Sequence, residues 1–127
     1  MSLTSEEIAE FAKLSGDLNP LHHDKYYAKK TRFKEIIACG PHIISLMMAI
    51  PATHFSKKTM MVGLEFSFRF HKAIKAGETI DMEWEIIKVE PKASLQGVIL
   101  TLDGKAVNQE EQVAVTCMGK ILVTKQL

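Results

Sequence analysis

Ser15-Gly16-Asp17-Leu18-Asn19-Pro20-Leu21-His22 sets one carboxylate and one imidazole five residues apart on a short loop. Such a pair can take a proton from water and return one to carbon, which is general acid–base chemistry. The intervening residues restrict the backbone that carries the two groups. Gly16 suits the left-handed conformation that ends a helix, and Asn19-Pro20 forces an extended turn directly after it. The loop is therefore expected to be bent and stiff. Turn chemistry by itself would explain Asp17 and Asn19 as an ordinary helix stop. His22, with a long apolar helix following at a suitable distance, is what gives the loop a chemical reading.

The octapeptide resembles the hydratase signature of the R-specific enoyl-CoA hydratases, the MaoC-like branch of the hot-dog superfamily. It is present without a gap, preceded by Phe11-Ala12 and followed by Ala28, and the likeness continues through Gly40 and residues 61–70. The resemblance implies an α+β fold, a single hot-dog domain over residues 1–127 in which an antiparallel β-sheet wraps a buried central helix. It also implies hydration of a trans-2-enoyl thioester to the (R)-3-hydroxyacyl thioester, or the reverse dehydration. Asp17 and His22 would be the catalytic pair sharing one water, Asn19 would order the loop, and the Gly40 amide would face the thioester oxygen. Coenzyme A or phosphopantetheine would enter as part of the substrate, with no separate cofactor. Relatives of this kind are usually dimers whose sheets join edge to edge, so a homodimer or an assembly of dimers is the expected state.

The chain departs from that pattern at Cys39-Gly40-Pro41, where the family commonly has His-Gly-Met. An imidazole beside the expected oxyanion site is lost, and His42 is the residue that could replace it. Cys39 is a poor candidate nucleophile, because no base adjoins it in sequence and free cysteine is more often a small buried hydrophobe. Two further function classes stand beside the hydratase: a hot-dog acyl thioesterase, in which the activated water attacks the carbonyl, and a non-catalytic acyl-thioester-binding subunit.

Composition narrows the classes further. A chain of 127 residues with 46% hydrophobic residues is long enough for one packed core. Sixteen basic residues against fifteen acidic ones leave a net charge of +1 without a single-sign block, so no nucleic-acid partner is expected. No signal peptide is recognisable and no apolar run approaches the roughly 20 residues that cross a bilayer, so a cytoplasmic protein without a membrane span is expected. Cys39 and Cys117 have no metal-ligand or disulfide spacing, and the five histidines are not grouped as ligands, so no metal is expected.

Periodicity supplies the elements. Thr4 and Glu7 form a capping box for a helix over residues 5–14 with Ile8, Phe11, Ala12 and Leu14 on its apolar side. Asp24 caps a short helix reaching residue 30, and Lys29, Lys30, Arg32 and Lys34 then cluster around Phe33. That cluster is either an ordinary solvated surface or a seat for the phosphates of the acyl carrier. Residues 43–50 form a helix that is apolar all round and should be buried, with Pro41 in its first turn. Strands are expected over 58–71, 79–90, 93–107 and 112–124, with Pro91 ending the second and Asn108-Gln109-Glu110-Glu111 joining the last two. Asp103-Gly104 is a strong local turn signal, but a turn there would leave residues 112–124 without a partner of similar length, so a bulge or kink is expected. Ile43, Met47, Met48, Phe66 and Phe68 are candidates to line an acyl tunnel, with plain core packing as the alternative for each.

Overall fold

The structure is a computed structural model that describes residues 1–125. Helix α1 (Ser5–Ser15) begins with the expected capping box. The Thr4 hydroxyl accepts from the Glu7 N–H at 3.1 Å, and the Glu7 carboxylate accepts from the Thr4 N–H at 3.0 Å. The helix ends at Gly16 with φ 83°, where the Asp17 N–H reaches back to the Ala12 carbonyl at 2.8 Å. This left-handed stop throws Asp17 off the end of α1 in a fixed direction.

Helix α2 (Lys25–Lys29) is capped by the Asp24 carboxylate, which accepts from Tyr26 and Tyr27 N–H groups. Helix α3 (Gly40–Ser56) is longer than its apolar run suggests, because it continues through Pro51. Proline in a helix interior removes the donor for the carbonyl four residues earlier, here Met47. That carbonyl instead accepts the Trp84 indole N–H at 2.8 Å, from a side chain 37 residues away. A buried acceptor that would have ended the helix is thereby satisfied.

Strands β1 (Thr59–Phe70), β2 (Ile80–Lys92), β3 (Gly97–Asn108) and β4 (Val113–Lys125) form one antiparallel sheet in the order β1-β4-β3-β2. Ile43 and Met47 of α3 pack with Ile80, Ala106, Val115 and Cys117 of the sheet in the main core. Phe66 and Trp84 meet edge to face at 6.0 Å and join it to a second cluster of Leu100, Leu102 and Ile121. The β3–β4 turn lies where expected, with the Asn108 side-chain oxygen accepting from both Glu110 and Gln112 N–H groups at 3.0 Å.

Several local expectations are corrected. Strand β2 runs past Pro91 to Lys92, which is possible because β2 is an edge strand and no outer neighbour needs the missing N–H. Asp103-Gly104 is neither turn nor bulge: it lies in continuous register with Glu85 and Trp84 on one side and Met118 and Cys117 on the other. Gly104 is there to make room, since a Cβ at that position would stand 2.6 Å from Trp84 Cε3. The irregularities occur instead around Leu64, between Ile86 and Lys88, and between Ala106 and Val107. The bulge turns Leu64 outward, so only Phe66 and Phe68 of its aromatic row join the core. Helix α3 is not buried all round, because Ile50 is 41% exposed.

Candidate active site

Asp17 and His22 face each other across their loop with Oδ2 to Nε2 at 3.4 Å. Each is oriented by hydrogen bonds made through its other polar atom. Asp17 Oδ1 accepts from the Asn19 N–H at 3.0 Å, which closes a tight turn and leaves Oδ2 for the imidazole. His22 Nδ1 lies 2.7 Å from the Ile37 carbonyl, which can only accept. Nδ1 therefore carries a proton, and Nε2 is the atom that faces Asp17. At 3.4 Å the pair is wider than a charge-assisted hydrogen bond of about 2.7–2.9 Å, so both atoms keep capacity for a third group.

The surrounding chain is tied down at each point. Asn19 caps the single turn Pro20–His22 by accepting from the Leu21 N–H at 3.1 Å. His23 Nε2 donates to the Asp17 carbonyl at 2.7 Å. Ile37, which holds His22, donates its own N–H to the Leu21 carbonyl at 3.2 Å, and its neighbours bond to the segment after β1 through Ala38 N–H to Ile74 and Ala76 N–H to Ile36. Rigid support of both side chains by fixed backbone is what acid–base chemistry on a loop would require.

The second part of the site is the beginning of α3. Cys39 is extended, with φ −72° and ψ 152°, and its thiol makes no capping hydrogen bond. Pro41 has no N–H, and the His42 N–H is taken by the Cys39 carbonyl at 3.1 Å. Gly40 is the first helical residue, so its N–H has no acceptor inside the helix and lies at the positive end of the helix dipole.

Gly40 and His22 line one cleft of about 400 Å³. Asn19 also lines it, as do the apolar side chains of Ile43, Phe70 and Val115, while Arg32, His71 and Lys72 supply basic groups. Asp17 reaches this site through its contact with His22. Other residues singled out from the sequence lie elsewhere. Cys39 is 2% exposed and Met47 fully buried, both as core. Phe66 covers Gly119 and packs on Trp84, and Met48 is half-buried on α3 outside the cleft lining. The sequence reading missed Phe70, His71 and Lys72 as cleft residues, although the loss of alternation after Phe70 marks where the strand leaves the core.

His42 points away from the cleft and stacks on Phe11 with ring centroids 4.3 Å apart and planes 3° from parallel. Its Nδ1 is buried without a hydrogen-bond partner. Burial pulls its pKa below the ordinary histidine value of 6.5, with the Glu7 carboxylate opposing that shift more weakly. The unfolded chain thus binds a proton on this ring more readily than the folded one, so folding stability falls as pH drops below about 6.5. Thermal unfolding between pH 7.5 and 5 is expected to show this decline, and His42→Leu should flatten it. An unchanged slope in that variant would assign the acid sensitivity to other groups.

Comparison with known proteins agrees with this architecture. Residues 1–116 match the family described as MaoC like domain. The chain is 32% identical over 111 residues to an (R)-specific enoyl-CoA hydratase of Aeromonas caviae, covering 80% of this chain and 81% of that protein. It is 24% identical over 90 residues to a 3-hydroxybutyryl-CoA dehydratase of Methylorubrum extorquens, covering 71% of this chain but only 57% of the dehydratase. Among solved structures, the (R)-hydratase from A. caviae superposes with a TM-score of 0.85 at 27% identity, over 95% of this chain and 88% of that one. An unliganded R-hydratase from Pseudomonas aeruginosa superposes with a TM-score of 0.82 at 28% identity, over 99% and 77%. By the family match over most of its length, and by a fold shared with the R-hydratases, this chain belongs to the MaoC-like hydratases and dehydratases of hot-dog fold.

Proposed function

We propose that the chain adds water to a trans-2-enoyl thioester to form the (R)-3-hydroxyacyl thioester, and catalyses the reverse dehydration. The observation that carries this reading is the Asp17–His22 pair, 3.4 Å apart, with His22 in the same cleft as the first amide of α3. The thioester oxygen accepts the Gly40 N–H, and the double bond extends toward the pair. One water is held by Asp17 Oδ2 and His22 Nε2, both of which accept its O–H groups and leave an oxygen lone pair free. That oxygen attacks Cβ as the C=C π bond opens, and negative charge moves onto the thioester oxygen beside Gly40. The proton released by water passes to the pair, which returns one to Cα and is restored to its starting state. No electrons leave the substrate, so the reaction calls for no redox cofactor. Coenzyme A or phosphopantetheine is part of the substrate, and Arg32 and Lys72 on the cleft are suited to its phosphates.

Incubation of purified protein with crotonyl-CoA tests the reading, following loss of the enoyl chromophore, free thiol, and product stereochemistry together. Loss of the enoyl group with (R)-3-hydroxybutyryl-CoA and no thiol is expected. Thiol release would identify a thioesterase instead, and tight binding without turnover an acyl-thioester-binding subunit. The working unit in this reading is a homodimer, which would cover exposed Ile50 and one of the sheet edges β1 and β2. Sedimentation at micromolar concentration should show a dimer; a monomer alone would oppose it.

A further inference from the structure

Phe70 is the third aromatic residue of an alternating row whose first two members, Phe66 and Phe68, pack on the core. It is the last residue of β1, pairs with Val115, and is 52% exposed. Immediately after it, the His71 and Lys72 N–H groups both donate to the Ala114 carbonyl, at 2.8 and 3.2 Å, so the strand leaves the sheet in a fixed direction. The ring projects into the cleft and meets the start of α3 end-on. A Cβ at Gly40 would stand 3.1 Å from the ring's Cζ, and 3.6 and 3.5 Å from Cε1 and Cε2.

A carbonyl oxygen held by the Gly40 N–H lies about 2.9 Å from that nitrogen, which puts the carbonyl carbon and its α-carbon only one and two bonds further on. The α-carbon of a thioester held there comes within reach of the Phe70 ring tip, which lines the same cleft beside Gly40. A hydrogen on that carbon fits beside the ring, whereas a methyl group points into it. We infer that Phe70 is a specificity and positioning residue, which selects acyl thioesters unbranched at the α-carbon and presses the double bond toward the Asp17–His22 pair. This rests on the hydratase reading for its rates, but not for its binding consequences.

The test compares crotonyl-CoA with its 2-methyl homologue in wild type, Phe70→Ala and Phe70→Leu. Phe70→Ala should raise the ratio of kcat/KM for the 2-methyl substrate over crotonyl-CoA by about tenfold or more, the scale of a one-carbon discrimination in an apolar pocket. Phe70→Leu should fall between the two, with KM for crotonyl-CoA rising in both variants. A purely structural role would lower both rates together and leave the ratio unmoved. The same proteins are also titrated with butyryl-CoA and 2-methylbutyryl-CoA, which have no double bond to hydrate, and the ratio of their Kd values should shift in the same direction. If wild type hydrated no enoyl thioester, the proposed function would fail while the Kd ratio still decided the role of Phe70. Ratios within twofold of wild type in a folded variant, by turnover and by binding, would overturn the inference; if Phe70→Ala does not fold, Phe70→Leu decides alone.

Discussion

Asp17→Asn and His22→Ala are each expected to lower kcat/KM for the best enoyl thioester by about 10²–10⁴, the usual contribution of a placed acid or base. Asp17→Asn retains an oxygen to accept the Asn19 N–H, and the His23 bond to the backbone carbonyl of residue 17 is untouched, so the loop should keep its shape. Its new amide, however, presents a donor to His22 Nε2, occupying the lone pair that water needs. His22→Ala acts differently. It strips the Ile37 carbonyl of its 2.7 Å partner in a buried setting, an added cost of about 1–3 kcal/mol in stability. Asp17→Asn should therefore melt near wild type and His22→Ala below it, while both lose most of their activity. Because the two groups share one water, the double variant should be little worse than either single one. Near-full activity in either variant, measured by steady-state hydration, would remove the pair from the mechanism.

The features legible in the sequence are those fixed by neighbours in the chain. The Thr4–Glu7 capping box, the left-handed stop at Gly16, the Asp24 cap and the Asn108 turn each depend on residues within four positions, and each is present. The loop bearing Asp17 and His22 belongs to this class, which is why the catalytic candidates could be read directly. What was not legible depends on partners distant in the sequence. The helix expected over residues 43–50 runs on through Pro51, where Trp84 supplies the donor that Met47 lacks, and Asp103-Gly104, expected as a bulge or kink, keeps its register with Gly104 making room for Trp84. Both errors come from one indole. The cleft wall shows the same limit: Phe70 continues a row whose earlier members are core, and only the approach of α3 turns it into a cleft residue. Conversely, Cys39, His42 and Met47 adjoin or belong to helix α3, where Cys39 and Met47 are buried in the core and His42 is stacked on Phe11.

Gly40→Pro should remove the proposed oxyanion donor, while the strain of a Cβ directly before Pro41 is shared with Gly40→Ala. The first position of a helix tolerates proline because its N–H has no intrahelical acceptor, and the preceding residue must be extended. Cys39, at φ −72° and ψ 152°, already is. The substitution also adds carbon atoms against the Phe70 ring, which lies 3.1 Å from the nearest new position. Gly40→Ala is the control, since it brings the same Cβ and keeps the N–H. Alanine is expected to lower kcat/KM modestly, as the ring tip shifts by a few tenths of an ångström. Proline should lower it by a further 10²–10³, about the loss seen when one oxyanion donor is deleted, with the decrease in kcat rather than in KM. Thermal unfolding should separate the two variants by no more than a few degrees. Equal rates for Gly40→Pro and Gly40→Ala would show that the amide at the head of α3 does not face the developing charge, and the enolate would then need another donor on the cleft wall.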